Sequence, residues 1–211
     1  MLFVLTGQVQ TGKTRWLEEL VGELAGHDVT AYGVLAPGVW ADRRDNLEAF
    51  PHADANGFEK LGIDNVLLPD GQRIAFARRA DLAEASGEHD PNSQSSQAKL
   101  HWSISDAAIG RVNGHFADLR VRAQAHDGTP GGFLIVDELG QLELLHGGGL
   151  TEAVGILQDG PTPMTRHALV VIREALLAHL DGRFGRWGQI ELVNPDKPSR
   201  SRILATLTES R

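Results

Sequence analysis

The chain has 211 residues, 20 basic and 28 acidic side chains, a formal net charge of −8 and no cysteine. This length suffices for one domain with its own core, and the lack of cysteine excludes disulfide frameworks and thiolate zinc sites. The acidic balance repels phosphodiester backbones, so nucleic acid is not an expected partner. No apolar stretch approaches the roughly 18 residues of a membrane span, so we expect a cytoplasmic protein without membrane contact.

The first 36 residues alternate strand and helix patterns. Residues 2–6 form a short apolar run ended by Gly7, which predicts a strand buried on both faces. Residues 13–25 carry an apolar stripe at helical spacing, and residues 29–36 predict a second strand stopped by Pro37-Gly38. The sequence therefore begins with a βαβ unit.

The middle of the chain is less regular. Residues 39–80 predict a small β-rich insertion, with short strands at 58–61, 65–68 and 73–77. Residues 84–101 contain few core-forming side chains and several helix breakers, which predicts a mobile polar loop.

Regular alternation returns in the second half. An apolar stripe from Ile104 to Ala123, preceded by the capping pattern Ser103-x-x-Asp106, predicts a long helix. Further strands are predicted at 132–137, 168–172 and 189–193, with helices near 150–157, 176–180 and 203–207. This order indicates one α/β domain over residues 1–211, with a mainly parallel five-stranded core sheet between helix layers. Ligands of such sheets bind at the carboxyl ends of the strands.

The segment after the first strand matches the Walker A pattern G-x-x-x-x-G-K-[ST] and opens a helix. Backbone N–H groups of such a loop and the positive end of the helix can surround a triphosphate. Lys13 would bridge the outer phosphates as a catalytic cation, and the Thr14 hydroxyl would bind Mg²⁺. The predicted nucleotide-binding residues are Gly7, Gln8, Val9, Gln10, Thr11, Gly12, Lys13, Thr14 and Arg15.

A second motif, a pair of acidic residues, stands at the end of the predicted strand 132–137. Asp137 ends an apolar run, as in a Walker B segment, and is expected to bind Mg²⁺ through a water. Glu138 comes next and is expected to activate the attacking water as the general base.

The segment Asp137-Glu138-Leu139-Gly140-Gln141-Leu142-Glu143-Leu144 resembles the signature Asp-Glu-Ile-Gly-x-Met-Glu-Leu of the cancer-related nucleoside-triphosphatases. Gly57-Phe58, Asp70-Gly71 and Phe76-Ala77-Arg78 are also similar to the β-insertion of that family. The resemblance implies a RecA-like, three-layer P-loop NTPase domain that hydrolyses ATP, GTP and other nucleoside triphosphates to diphosphates with Mg²⁺. It also gives Glu143 a place near the site, either holding Glu138 or positioning water.

Two other functions stay open at this point. A nucleoside or nucleotide kinase could use the same phosphate loop, with residues 84–101 covering the acceptor. A nucleotide-binding switch with little turnover is suggested by Gln10, which stands where the family has a glycine. Candidates for an assisting arginine are Arg78, Arg79 and Arg173, and residues 194–197 could contact the base. The sequence does not identify a protein partner.

Overall fold

The computed structural model describes residues 1–8, 11–125, 131–180 and 182–209, without the side chains of residues 46, 47 and 209. The nine strands of the described part are β1 (Leu2–Leu5), β2 (Ala31–Leu35), β3 (Gly38–Asp42), β4 (Phe58–Leu68), β5 (Gln72–Arg79), β6 (Trp102–Ile104), β7 (Gly132–Leu139), β8 (Thr165–Ile172) and β9 (Ile190–Val193). Its α-helices are α1 (Lys13–Gly26), α2 (Ala80–Ala85), α3 (Gln94–Gln97), α4 (Asp106–Gln124), α5 (Thr151–Asp159) and α6 (Lys197–Glu209).

Five parallel strands in the order β2-β7-β8-β1-β9 form the centre of the sheet. Successive side chains of a strand point to opposite faces, and both faces are apolar here. Leu2 and Val4 join a core with α4 and α5, whereas Phe3 and Leu5 join a second core with α1 and α6. The prediction of a mainly parallel five-stranded core between two helix layers is confirmed.

The close approach of two central strands depends on Gly33 in β2. Its φ is 109°, and a Cβ there would lie 2.0 Å from the carbonyl oxygen of Ile135 in β7. Only glycine fits this backbone without displacing β7.

Four antiparallel strands, β3 to β6, extend the sheet beyond β2. The two short strands predicted at 58–61 and 65–68 are wrong, because β4 runs without a break through both and bulges between Ile63 and Asp64. Its second half pairs with β2, and its first half pairs with β3. The turn Pro37-Gly38 ends β2, but β3 starts at once and continues past the carboxyl edge of the parallel strands.

Between β5 and α4 the structure has two short helices that were not predicted, and the mobility of residues 84–101 stays a prediction. Residues 84–101 include the end of α2 and all of α3, and Ser95 is fully buried and accepts a hydrogen bond from the Ile104 amide at 2.9 Å. The predicted cap at Ser103 is wrong because Ser103 pairs with β5. Ser105 caps α4 instead, accepting from the Ala108 amide.

The segment predicted as a helix at 176–180 is a 3-10 helix over Glu174–Leu180. Among the described residues, no helix combines the length and the apolar character that a bilayer crossing requires.

Candidate functional site

The loop between β1 and α1 lies at the carboxyl edge of the parallel strands. Gly7 has a φ of 141° and Gly12 a φ of 80°, which are conformations that glycine adopts without strain. Gly12 offers no side-chain cap to α1, and the first turn of that helix has no acidic residue. The amide groups at the start of α1 are therefore left for an anion. Val9 and Gln10 of the predicted binding segment lie outside the described residues.

Lys13 folds back over this loop. Its Nζ atom donates hydrogen bonds to the carbonyl oxygens of Gly7 at 3.0 Å and Gln8 at 2.6 Å. Burial lowers the pKa of Lys13, while the negative charges of Glu138 and Asp137 oppose that shift. The lysine and the two acids therefore belong to one electrostatic site, although they are about 125 residues apart in sequence.

Thr14 and Asp137 are brought together by the pairing of the strands. The Asp137 carboxylate is buried and accepts a hydrogen bond from the Ala36 amide at 2.9 Å, and the Thr14 side chain acts to lower its pKa. Burial raises the pKa of Asp137 from 3.8 to about 6, because an ionised carboxylate is poorly solvated there. A buried carboxylate beside a threonine hydroxyl is a donor set that fits a hard divalent cation.

Glu138 lies at the rim of the same site and forms an ion pair with Arg173. The Arg173 Nε donates to a Glu138 carboxylate oxygen at 2.5 Å. Arg173 follows β8 directly, and its charge also lowers the pKa of Lys13. Of the three arginines proposed from the sequence, Arg173 is therefore the one whose contacts lie at the acidic pair.

The other two arginines are paired elsewhere. Arg78 is bonded to Glu88, and Arg79 is bonded to Glu59 and Asp81. These three ion pairs lie at β4, β5 and the segment that follows β5.

Glu143 has a different place from the acids at the rim. Its carboxylate oxygens accept hydrogen bonds from the amides of Gly140 at 2.8 Å and Leu150 at 2.9 Å. Burial raises the pKa of Glu143, and the two amides oppose that shift. The Glu143 side chain thus holds together the loop that follows β7, the strand that carries Glu138. This arrangement favours a role of Glu143 in holding Glu138 over a role in positioning water.

The segment after β9 lies next to the phosphate loop. A Cβ at Gly7 would be 3.9 Å from Pro195 Cδ, and the Trp16 indole of α1 donates to the Asp196 carbonyl at 2.9 Å. Contact between residues 194–197 and a base stays a prediction.

Sequence reasoning missed Lys60 of β4. The charges of Glu138, Asp137 and Arg173 all act on its pKa, which burial lowers. Lys60 therefore approaches the acidic pair from the antiparallel extension. No motif marks a single lysine in an irregular strand, and only the fold of β4 over the sheet edge brings it there.

Two solved structures are similar to this chain. The solution structure of a human cancer-related nucleoside triphosphatase matches all of this chain and 98% of its own, with 19% identity and a TM-score of 0.61. The crystal structure of THEP1 from the hyperthermophile Aquifex aeolicus matches 98% of this chain and 96% of its own, with 16% identity and a TM-score of 0.59. No protein-family model matches the sequence, and no curated protein matches it significantly. The two structures confirm the predicted fold, an α/β domain with a mainly parallel central sheet, and the antiparallel strands β3 to β6 fit the predicted β-rich insertion.

Proposed function

We propose that this chain is a Mg²⁺-dependent nucleoside-triphosphatase that hydrolyses ATP- or GTP-type nucleotides to diphosphate and phosphate. The observation that carries the proposal is the meeting of Lys13, Thr14, Asp137 and Glu138 at one edge of the sheet. The fold shared with a human protein described as a nucleoside triphosphatase supports the same reading.

The phosphate chain would bind at the start of α1. The uncapped amides of the helix and the Lys13 ammonium group supply positive charge, and the glycines allow the backbone to approach the anion closely. In the free protein Lys13 donates to the carbonyl oxygens of Gly7 and Gln8. On nucleotide binding, Lys13 would donate to phosphate oxygens instead. The side of the site toward residues 194–197 is left for the nucleoside.

Thr14 and Asp137 would hold Mg²⁺ together with the phosphates. Magnesium ions in such sites are bound by one or two carboxylates, phosphate oxygens and waters, so a full protein cage is not needed. When bound, the cation neutralises charge on the outer phosphates. The Asp137 carboxylate would then be ionised, because the cation replaces the solvation that burial removes.

Glu138 would act as the general base. A water oxygen attacks the terminal phosphorus, its proton passes to the Glu138 carboxylate, and the bond from that phosphorus to the bridging oxygen breaks as the diphosphate leaves. In the free protein Arg173 occupies this carboxylate. Because the terminal phosphate carries more negative charge than the Glu138 carboxylate, Arg173 would pair with the phosphate. Glu138 would then be free to accept the proton of the water.

The test is Glu138→Gln assayed with ATP, GTP and CTP in Mg²⁺, reading both affinity and released phosphate. We expect nucleotide binding to persist and phosphate release to fall by about 10²–10³-fold, the usual range for a missing preorganised group. Glu23→Gln, on the exposed side of α1, is the matched control and should behave as the parent. Unchanged hydrolysis in Glu138→Gln would remove the base assignment.

Two further outcomes would replace hydrolysis by another function. Consumption of γ-labelled triphosphate that starts only with an added nucleoside or nucleotide, with the label found on that acceptor and not as free phosphate, would identify a kinase. Tight ATP binding by the parent protein with no diphosphate formed over hours would identify a switch.

A further inference from the structure

A cavity of about 360 Å³ opens in the antiparallel extension, and its lining includes Trp40, Phe58, Lys60, Arg79 and Trp102. We call it the tryptophan cavity. Trp40 and Lys60 face each other across β3 and β4, and Trp102 and Arg79 face each other across β5 and β6. Three aromatic rings and two cations therefore surround one space, together with His52 and with Asp54, whose carboxylate accepts from the amides of Asn56 and Phe58.

The two indole rings lie around a single ammonium group. The Lys60 Nζ atom is 5.9 Å from the centroid of the Trp40 ring and 5.3 Å from that of the Trp102 ring. Trp40 is 45% exposed, which is unusual for so large an apolar side chain. Its ring thus offers a surface on which a flat ligand can stack.

The two cations of the cavity differ in their partners. Arg79 is paired with Glu59 and Asp81, so its charge is already balanced. Within the described part of the chain, no carboxylate lies within ion-pair distance of Lys60. Lys60 is therefore the cation that can meet an anionic group of a ligand.

The cavity lies beyond the acidic pair as seen from the phosphate loop. Along the carboxyl edge, the loop after β1 and the segment after β9 lie on one side of Asp137 and Glu138, and Lys60 lies on the other. If the proposed function holds, the terminal phosphate of the nucleotide points to the acids. The tryptophan cavity is then next to the terminal phosphate and away from the nucleoside of the same nucleotide.

We propose that the tryptophan cavity binds a second ligand, a nucleoside 5′-monophosphate, with its base on Trp40 or Trp102 and its phosphate at Lys60. Indole faces stack on every nucleobase, and a lysine is a suitable point charge for a phosphate. The placement of this ligand beside the terminal phosphate rests on the proposed function, but its binding to the cavity does not.

The experiment is equilibrium dialysis of the full chain with radiolabelled AMP, GMP, CMP and UMP, each with and without saturating Mg-ADP to occupy the phosphate loop. We expect at least one monophosphate to bind in the presence of Mg-ADP. Trp102→Ala or Trp40→Ala should weaken that binding by about 5- to 100-fold, the range that stacking supplies, and Trp102→Phe should retain most of it.

Lys60→Met should abolish the preference for the monophosphate over its unphosphorylated nucleoside, while Lys99→Met serves as the matched control on an exposed lysine. Circular dichroism and thermal melts verify that each variant is folded. Absence of monophosphate binding to the parent, or binding that none of the tryptophan variants weakens, overturns the proposal. Monophosphate binding that responds to Trp102 in a protein that neither binds nor hydrolyses triphosphates supports the cavity and removes the proposed function instead.

Discussion

The parallel and antiparallel halves of the sheet are stabilised in different ways. The central parallel strands are buried on both faces, and every residue of β1 and β2 is apolar or glycine. The antiparallel extension has half-exposed strands, and its buried Glu59 is held by Arg43 at 2.8 Å and Arg79 at 2.8 Å. Cation–π contacts of Arg43 with Phe50 and of Lys60 with two tryptophans also lie there.

The two halves of the sheet therefore suit different roles in the protein. The parallel half gives a rigid edge on which backbone and acid positions are fixed by close packing. The extension places charged and aromatic side chains in partly solvated positions, where a ligand can replace their present contacts. Substitutions in the two halves should therefore have effects of different size and kind.

The largest expected effect is on catalysis at the parallel edge. Asp137→Asn should lower kcat for nucleoside-triphosphate hydrolysis by about 10²–10³-fold, because the amide cannot balance a divalent cation. Steady-state phosphate release over a Mg²⁺ titration measures it. Asp118→Asn, on the exposed side of α4, is the control, and equal losses in both variants would contradict the assignment.

The loop after β7 should be intolerant of a single methyl group. Gly149 has a φ of 65°, and a Cβ there would lie 1.9 Å from a Glu143 carboxylate oxygen. Gly149→Ala should lower the free energy of unfolding by about 2–4 kcal/mol, since it adds strain and breaks a buried hydrogen-bonded clamp. Denaturant unfolding measures this.

Gly147→Ala separates the clash from the backbone strain. Gly147 has a φ of 67°, but a Cβ there would meet no atom within 4 Å. Its replacement should cost only about 1 kcal/mol. Equal losses at the two glycines would mean that Glu143 does not hold the loop.

The buried acid should also make the free protein sensitive to pH. The pKa of Asp137 is raised from 3.8 to about 6, so the native state favours the protonated form. The preference of the native state for protonated Asp137 adds to the free energy of unfolding below about pH 4, and this contribution is lost as the pH rises through about 6.

Without Mg²⁺ and nucleotide, Asp137→Asn should therefore be more stable than the parent at pH 7.5, by roughly 2–3 kcal/mol. The difference should vanish near pH 4, and unfolding curves at several pH values measure it. A parent that is the more stable of the two at pH 7.5 without Mg²⁺ would contradict the desolvation of Asp137.

The smallest expected effect is in the extension. Glu59→Gln keeps the shape of the side chain but removes the charge that pairs with Arg43 and Arg79, and should cost about 1–2 kcal/mol. Glu88→Gln, whose exposed carboxylate pairs with Arg78, is the matched control and should change the unfolding midpoint little. Similar midpoints for the two variants would show that the extension does not depend on its buried ion pairs.

The predictions from sequence succeeded where one physical cause dominated. An apolar run buried on both faces leaves few alternatives, so β1, β2 and β7 to β9 could be placed within a few residues. They failed in the extension, where β3 and β6 were missed and β4 was divided, because half-exposed strands carry mixed patterns and bulges. The N-cap of α4 was misplaced by two residues because Ser103 and Ser105 are locally equivalent, and only pairing with β5 distinguishes them.

The amino-acid sequence alone determined the loop after the first strand, the acids at 137 and 138 and the parallel α/β order, because each depends on local spacing and apolar periodicity. The tertiary structure alone decided that Thr14 meets Asp137, that Arg173 pairs with Glu138 and that Lys60 approaches the acids from the far side. These contacts join residues that are tens to more than a hundred positions apart. Their formation depends on strand order and on β4 passing over the sheet edge, which no local pattern encodes.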